Sequence, residues 1–168
     1  MSRAFVKEPD GDSVIDDAPD LPQSPHPNYV TPKGLAQLQA QRAALIAERN
    51  AVRAQSDDIA SRLPLGHLGR ELRHVEGRLE RAVLVDPENQ PADEAAFGAS
   101  IEVEDDSGEQ REVTIVGEDE ADVDAGRVSW ISPLARALMG SRVGEYVTWK
   151  RPAGDLGLKI LSIRYTRP

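Results

Sequence analysis

Six apolar residues, Leu65, Leu68, Leu72, Val75, Leu79 and Ala82, recur at spacings of three, four, three, four and three. That alternation keeps one narrow stripe on one face of an α-helix, and it is the a/d seam of a coiled coil. A lone stripe leaves its apolar surface in water, so the chain must supply a second helix to cover it. Upstream, Leu38, Leu45, Val52 and Ile59 recur every seven residues, Leu35 adds to the same face, and Arg42 and Arg49 dilute it. The stretch between, "AVRAQSDDIASRLPLGHLG" (51–69), holds Asp57, Asp58, Pro64, Gly66 and Gly69 and reads as a breaker. Two stripes and a breaker predict an antiparallel helical hairpin over 29–84. Its start is written in "YVTPKGLAQL": Thr31 suits the N-cap and Pro32 the first helical position, while Val30 and Leu35 suit a staple. A first helix from 32 to about 57 would be a rod roughly 39 Å long at about 1.5 Å per residue.

Beyond the seam the period changes from helical to alternating. "DPENQPADEAAFG" is a linker by composition, assigned to 85–97. "ASIEVEDD" and "REVTIVGED" alternate apolar and polar residues around "DSGEQ", a hairpin pattern, and "EYVTWKRP" and "LGLKILSIRY" add two more strand-like runs. Between the pairs, "SPLARALMG" reads as a short helix. Ser132 caps it, Pro133 opens it, Leu134, Ala137 and Leu138 form its buried face, and Gly140 stops it. The fold class is therefore α+β: a coiled-coil hairpin, then a small domain over 98–168 with a mostly antiparallel sheet on one short helix. Residues 1–28, rich in Asp, Pro and Ser, read as a disordered acidic tail.

With 168 residues the chain holds one medium domain or two small ones. It has no cysteine, which removes disulfides, thiol catalysis and thiolate metal sites. Aromatics are only 4% of residues, too few to promise a large aromatic-lined pocket. The N-terminus lacks the apolar run of a signal peptide and nothing approaches a membrane span, so a soluble cytoplasmic protein is expected. Net charge is −9, unevenly spread: −4 over 1–31, +3 over 32–82 and −8 over 83–168. The acidic ends would be repelled by a nucleic-acid backbone, which disfavours general nucleic-acid coating, and no sequence-specific nucleic-acid binding is expected; only the middle segment suits phosphates or an acidic protein surface.

The run "GEDEADVDAGRVSWISPLARALMGSRVGEYVTW" narrows the function. Ser129, Ser132 and Pro133 lead into the small-residue helix Leu134, Ala135, Ala137, Leu138, Met139, followed by Gly144 and Glu145. This resembles the C-terminal signature of the bacterial Gre transcription factors. "IVGEDEAD" (115–122), "FGA" (97–99) and "EGRL" (76–79) are similar to the same family, and the likeness covers about 29–166. The resemblance implies an FKBP-like C-terminal domain that binds RNA polymerase through Ser132, Pro133, Leu134, Ala135, Arg136, Leu138 and Met139. It further implies a hairpin entering the polymerase secondary channel, with acidic tip residues helping to hold a second magnesium ion. Such an ion offsets charge developing on a scissile phosphate and lowers the pKa of the attacking water. The factor would not be an enzyme and would have no cofactor of its own, only Mg2+ shared with the polymerase, and a monomer is expected.

The tip departs from that family's pattern. Counting back from Glu76–Gly77–Arg78, the family's Asp falls on Asp58 and its Glu on Ser61, followed by Arg62, in a hairpin roughly one heptad shorter. Asp57 and Asp58 are the candidate ligands, because two carboxylates on one loop can share a cation. The expected function is a Gre-like regulator that modulates or occludes the channel with weak or no cleavage stimulation. The alternatives are an active cleavage factor using Asp57 and Asp58, an FKBP-like peptidyl-prolyl isomerase, and a Gre-related regulator with a very short hairpin. Elsewhere, His67 and His74 lie seven apart without a third ligand, Arg62, Arg70, Arg73, Arg78 and Arg81 read as a solvated helix flank, and Trp130 and Trp149 suit core packing as well as contact.

Overall fold

The structure, a computed structural model, describes residues 19–55 and 59–166, with the backbone alone at 59–62. Helix α1 spans Pro32–Gln55 and helix α2 spans Ile59–Glu80, making the expected hairpin. Helix α2 already starts at Ile59, and Pro64, Gly66 and Gly69, expected in the breaker, lie inside it. Ile59, expected to extend the first stripe, opens the second helix. Pro64 gives up one helical hydrogen bond and crowds the carbonyl four residues back. The seam that follows it is strong enough to keep the helix going.

The described chain forms two compact bodies: Ala40–Arg78 with 19–23, and 24–39 with 79–166. In the first, Leu45, Leu68, Leu72 and Val75 are buried, Val52 and Leu65 are half-buried, and Arg42 Nε donates to Glu76 Oε1 at 3.1 Å. The seam residues expected from the period are thus the covered ones.

The second body begins with β1 (Asn28–Val30), which pairs in parallel with β2 (Ala82–Leu84). Neither strand is expected from the sequence, and Ala82 belongs to β2 and not to the helix. Thr31 then caps α1: its carbonyl accepts from Leu35 N–H at 2.9 Å and its hydroxyl oxygen from Gly34 N–H at 3.0 Å. The buried Glu120 completes this cap, accepting from the Thr31 hydroxyl at 2.6 Å and from Thr31 N–H at 3.3 Å. A carboxylate there also complements the positive end of the helix dipole.

Five further strands, β3 (Ala99–Asp105), β4 (Gln110–Val116), β5 (Arg127–Ser129), β6 (Tyr146–Trp149) and β7 (Leu156–Tyr165), form one sheet in the order β5-β4-β3-β7-β6. Its ladders are antiparallel except β4–β5, which is parallel, so the sheet is mostly antiparallel as expected and roughly FKBP-like. The 105–109 turn is held by the Asp105 carboxylate, which accepts from Ser107 N–H, the Ser107 hydroxyl and Glu109 N–H at 2.9, 2.6 and 3.0 Å. Alternate residues of β3, Ala99, Ile101 and Val103, face a core shared with Val113, Ile115, Leu158 and Ile160. Helix α3 (Pro133–Leu138) closes that core with Leu134, Ala135 and Leu138. The stretch expected as a linker is packed into this body: Ala95 and Phe97 are buried, and Ala95 N–H bonds to the Ser141 carbonyl at 2.8 Å.

Candidate functional site

The Ser129–Met139 run folds as its sequence dictates at the cap. Ser132 N–H donates to the Ser129 carbonyl at 2.9 Å, and the Ser132 hydroxyl oxygen accepts from Ala135 N–H at 3.2 Å, with Pro133 in the first turn of α3. A six-residue helix shows only half its circumference. Leu134, Ala135 and Leu138 have 7%, 0% and 0% of their surface exposed and pack into the core. Three of the seven expected contact residues are thus buried in this structure. The helical period explains it, since positions i, i+1 and i+4 share the inward face. Ala135, not the half-buried Ala137, completes that face.

Pro133, Arg136 and Met139 point outward, and Ser132 is half-buried. They are joined by residues the sequence reading passed over. Val143 and Tyr146 are 58% and 72% exposed, although both are large and apolar. Two hydrogen bonds hold the turn that leads into β6. Gly144 (φ 88°) donates to the Ile160 carbonyl at 2.8 Å, and Arg142 N–H donates to Glu145 Oε2 at 2.9 Å. Strand β6, which starts at Tyr146, packs against α3. Pro133, Arg136 and Met139 are thus exposed on and just after α3, and Val143 and Tyr146 on the turn and strand that follow it. Aromatic residues, Met and Arg are the types enriched where proteins bind proteins. The only signal for Val143 and Tyr146 in the sequence was their position just after a glycine-ended helix.

At the hairpin end, Asp57 and Asp58 lie outside the described residues. Ser61 falls in the first turn of α2. Among the described residues no group of three or more His, Asp or Glu side chains could hold a metal ion. His67 Nδ1 contacts Arg70 Nη2 at 3.1 Å, and His74 Nδ1 contacts Gln23 Nε2 at 3.2 Å, so neither imidazole is turned toward a common ligand. Trp130 and Trp149 both pack against the core; Trp130 meets Tyr29 edge-on at 5.0 Å, and the Arg151 guanidinium lies 5.3 Å from the Trp149 ring. A cavity of about 370 Å³ opens beside the α1 cap, with Thr31, Lys33, Ser100, Glu120 and Arg127 among its walls. No aromatic residue lines it, so it lacks the ring-walled groove expected of a prolyl isomerase. No helix among the described residues is long and apolar enough to cross a membrane.

Residues 90–165 match the family model "Transcription elongation factor, GreA/GreB, C-term". The transcription elongation factor GreB of Neisseria meningitidis serogroup B is 35% identical over 155 residues, covering 83% of this chain and 95% of that protein. The chain belongs to the GreA/GreB family. GreA of Nitratidesulfovibrio vulgaris strain Miyazaki F is 32% identical over 140 residues, covering 79% of this chain and 88% of that one. The GreA factor homolog 1 (Gfh1) of Thermus thermophilus has 24% identity and a TM-score of 0.40, covering 83% of this chain and 99% of that one. The matched region contains all of the outward-facing α3 surface. A helical hairpin followed by a C-terminal sheet domain is consistent with the fold of that family.

Proposed function

We propose that this GreA/GreB-type elongation factor docks on RNA polymerase through Pro133, Arg136, Met139, Val143 and Tyr146. In this reading its hairpin enters the secondary channel and occupies it with little stimulation of transcript cleavage. The exposed apolar surface beside the family signature supports the docking. A folded domain keeps a Tyr 72% exposed beside a Val 58% exposed at the cost of unburied apolar area, which a partner would recover. Support for weak cleavage comes from Ser61. The cation-holding pair is short by one carboxylate unless Asp57 substitutes, and a weaker ligand set holds the shared Mg2+ poorly.

A backtracked elongation complex tests both halves. The wild type is expected to add little RNA cleavage at physiological magnesium and to inhibit a full cleavage factor by competition. Inhibition should survive changing Asp57 and Asp58 to Ala, because blocking a channel needs shape more than carboxylates. It should vanish in Tyr146→Glu, which leaves the core untouched. Strong wild-type cleavage lost on the double change would establish the active-factor alternative instead.

A further inference from the structure

Residues 19–27, "PDLPQSPHP", run as an extended strap with no helix or strand of their own. Pro19, Pro22 and Pro25 recur every third residue and are exposed. Three residues per turn is the repeat of a polyproline II chain, which prolines stiffen before any contact is made. Asp20 and Gln23 share a different face of the same repeat, and these two touch the flank of α2. Asp20 Oδ1 accepts from Arg73 Nε at 2.7 Å. Gln23 Nε2 donates to the His74 carbonyl at 3.1 Å and lies 3.2 Å from His74 Nδ1. Its amide fills a gap one turn on: a Cβ at Gly77 would come within 2.9 Å of Gln23 Nε2.

Two features make this contact more than packing. The groups are polar and solvent-exposed, Arg73 and Asp20 being 47% and 66% exposed at the side chain, so the strap is held weakly and can leave. It also offsets positive charge on the surface. Asp20 is the acid of the strap, and it pairs with Arg73 on a flank that also carries Arg70.

We propose that residues 19–23 are an autoinhibitory strap, which hides the Arg70–Arg73–Gly77 flank of α2 and so weakens its attraction to acidic groups on RNA polymerase. This rests on the polymerase-docking reading above. With the strap seated, Asp20 offsets the charge of Arg73, so attraction to an acidic wall is reduced. With the strap released, two arginines and a clean helix surface are available. The strap thereby sets how readily the hairpin engages.

Gly77→Leu tests it without changing any charge. The new side chain takes the seat of Gln23, and leucine favours the helix over glycine. Asp20→Asn with Gln23→Ala is the second variant and removes the strap's own side of the contact. Hydrogen exchange of 19–27 reports release, and binding to core RNA polymerase is measured at low and high salt. Both variants are expected to speed exchange of the strap and to bind about five-fold tighter at low salt, equivalent to about 1 kcal/mol. Salt should close the gap. Released straps with unchanged or weaker binding would overturn the inference, as would a wild-type strap that already exchanges like a free peptide. Failure of all three proteins to bind polymerase would instead sink the docking reading.

Discussion

A Cβ at Gly34 would lie 2.3 Å from the Glu120 carboxyl, in a helix where alanine is otherwise the better residue by about 1 kcal/mol. The steric term should win, because the neighbour is a buried carboxylate already committed to Thr31. Gly34→Ala is therefore expected to destabilise the protein by about 1–3 kcal/mol in urea melts, and an unchanged midpoint would show that the cap yields. Asp105 makes a separate prediction about pH. Its carboxyl is held below the ordinary 3.8, chiefly by the Ser107 hydroxyl, with backbone N–H groups of Glu109 and Ser107 adding to this against partial desolvation. A depressed carboxylate stabilises the fold above its unfolded pKa, and that stability is lost as pH falls through the folded value. Asp105→Asn should then flatten the fall in stability below about pH 4, measured by melts along a pH series. Thr31, Pro32, Ser132 and Pro133 could be read from sequence because capping is decided within four residues. Glu120 could not, since its partner lies 89 positions away.

For elements, the reading succeeded where a period had room to repeat. The α2 stripe and the seven-residue β3 and β4 strands show several turns of their pattern. The three-residue strands β1, β2 and β5 show barely one, and they went unread. The hairpin turn was misplaced for another reason. Proline and glycine are local breakers, yet helix α2 continues past Pro64 because Leu68, Leu72 and Val75 are covered all along it. Tertiary burial outweighs a local penalty of about 3 kcal/mol. If so, Pro64→Ala should raise thermal stability, by about 1–3 kcal/mol, with no change in the hairpin's helical content beyond the first turns of α2. A fall in melting temperature would mean that the proline shapes the tip and does not merely sit in it.

Taken whole, the molecule does not divide where its sequence periods divide. Charge and pattern separate 29–84 from 98–168, but 24–39 and 79–166 pack as one body. Packing at the base of the helices decides this, through the α1 cap on Glu120 and the buried stretch at Ala95 and Phe97. The β1–β2 pair is the element that ties those ends together, and it carries a consequence for how the chain folds. Tyr29 pairs with Val83, so the loop to be closed is 54 residues long, and its reward is a ladder of three residues. An open chain would seldom make that closure, because the entropy is spent before any contact returns it. Helices form and meet far faster than such distant strands, and a formed hairpin brings residues 30 and 82 near each other by itself. The seam is then the first event and the parallel pair a late one, so a substitution that loosens the seam should slow assembly of the distant sheet domain that contains none of the seam's middle residues.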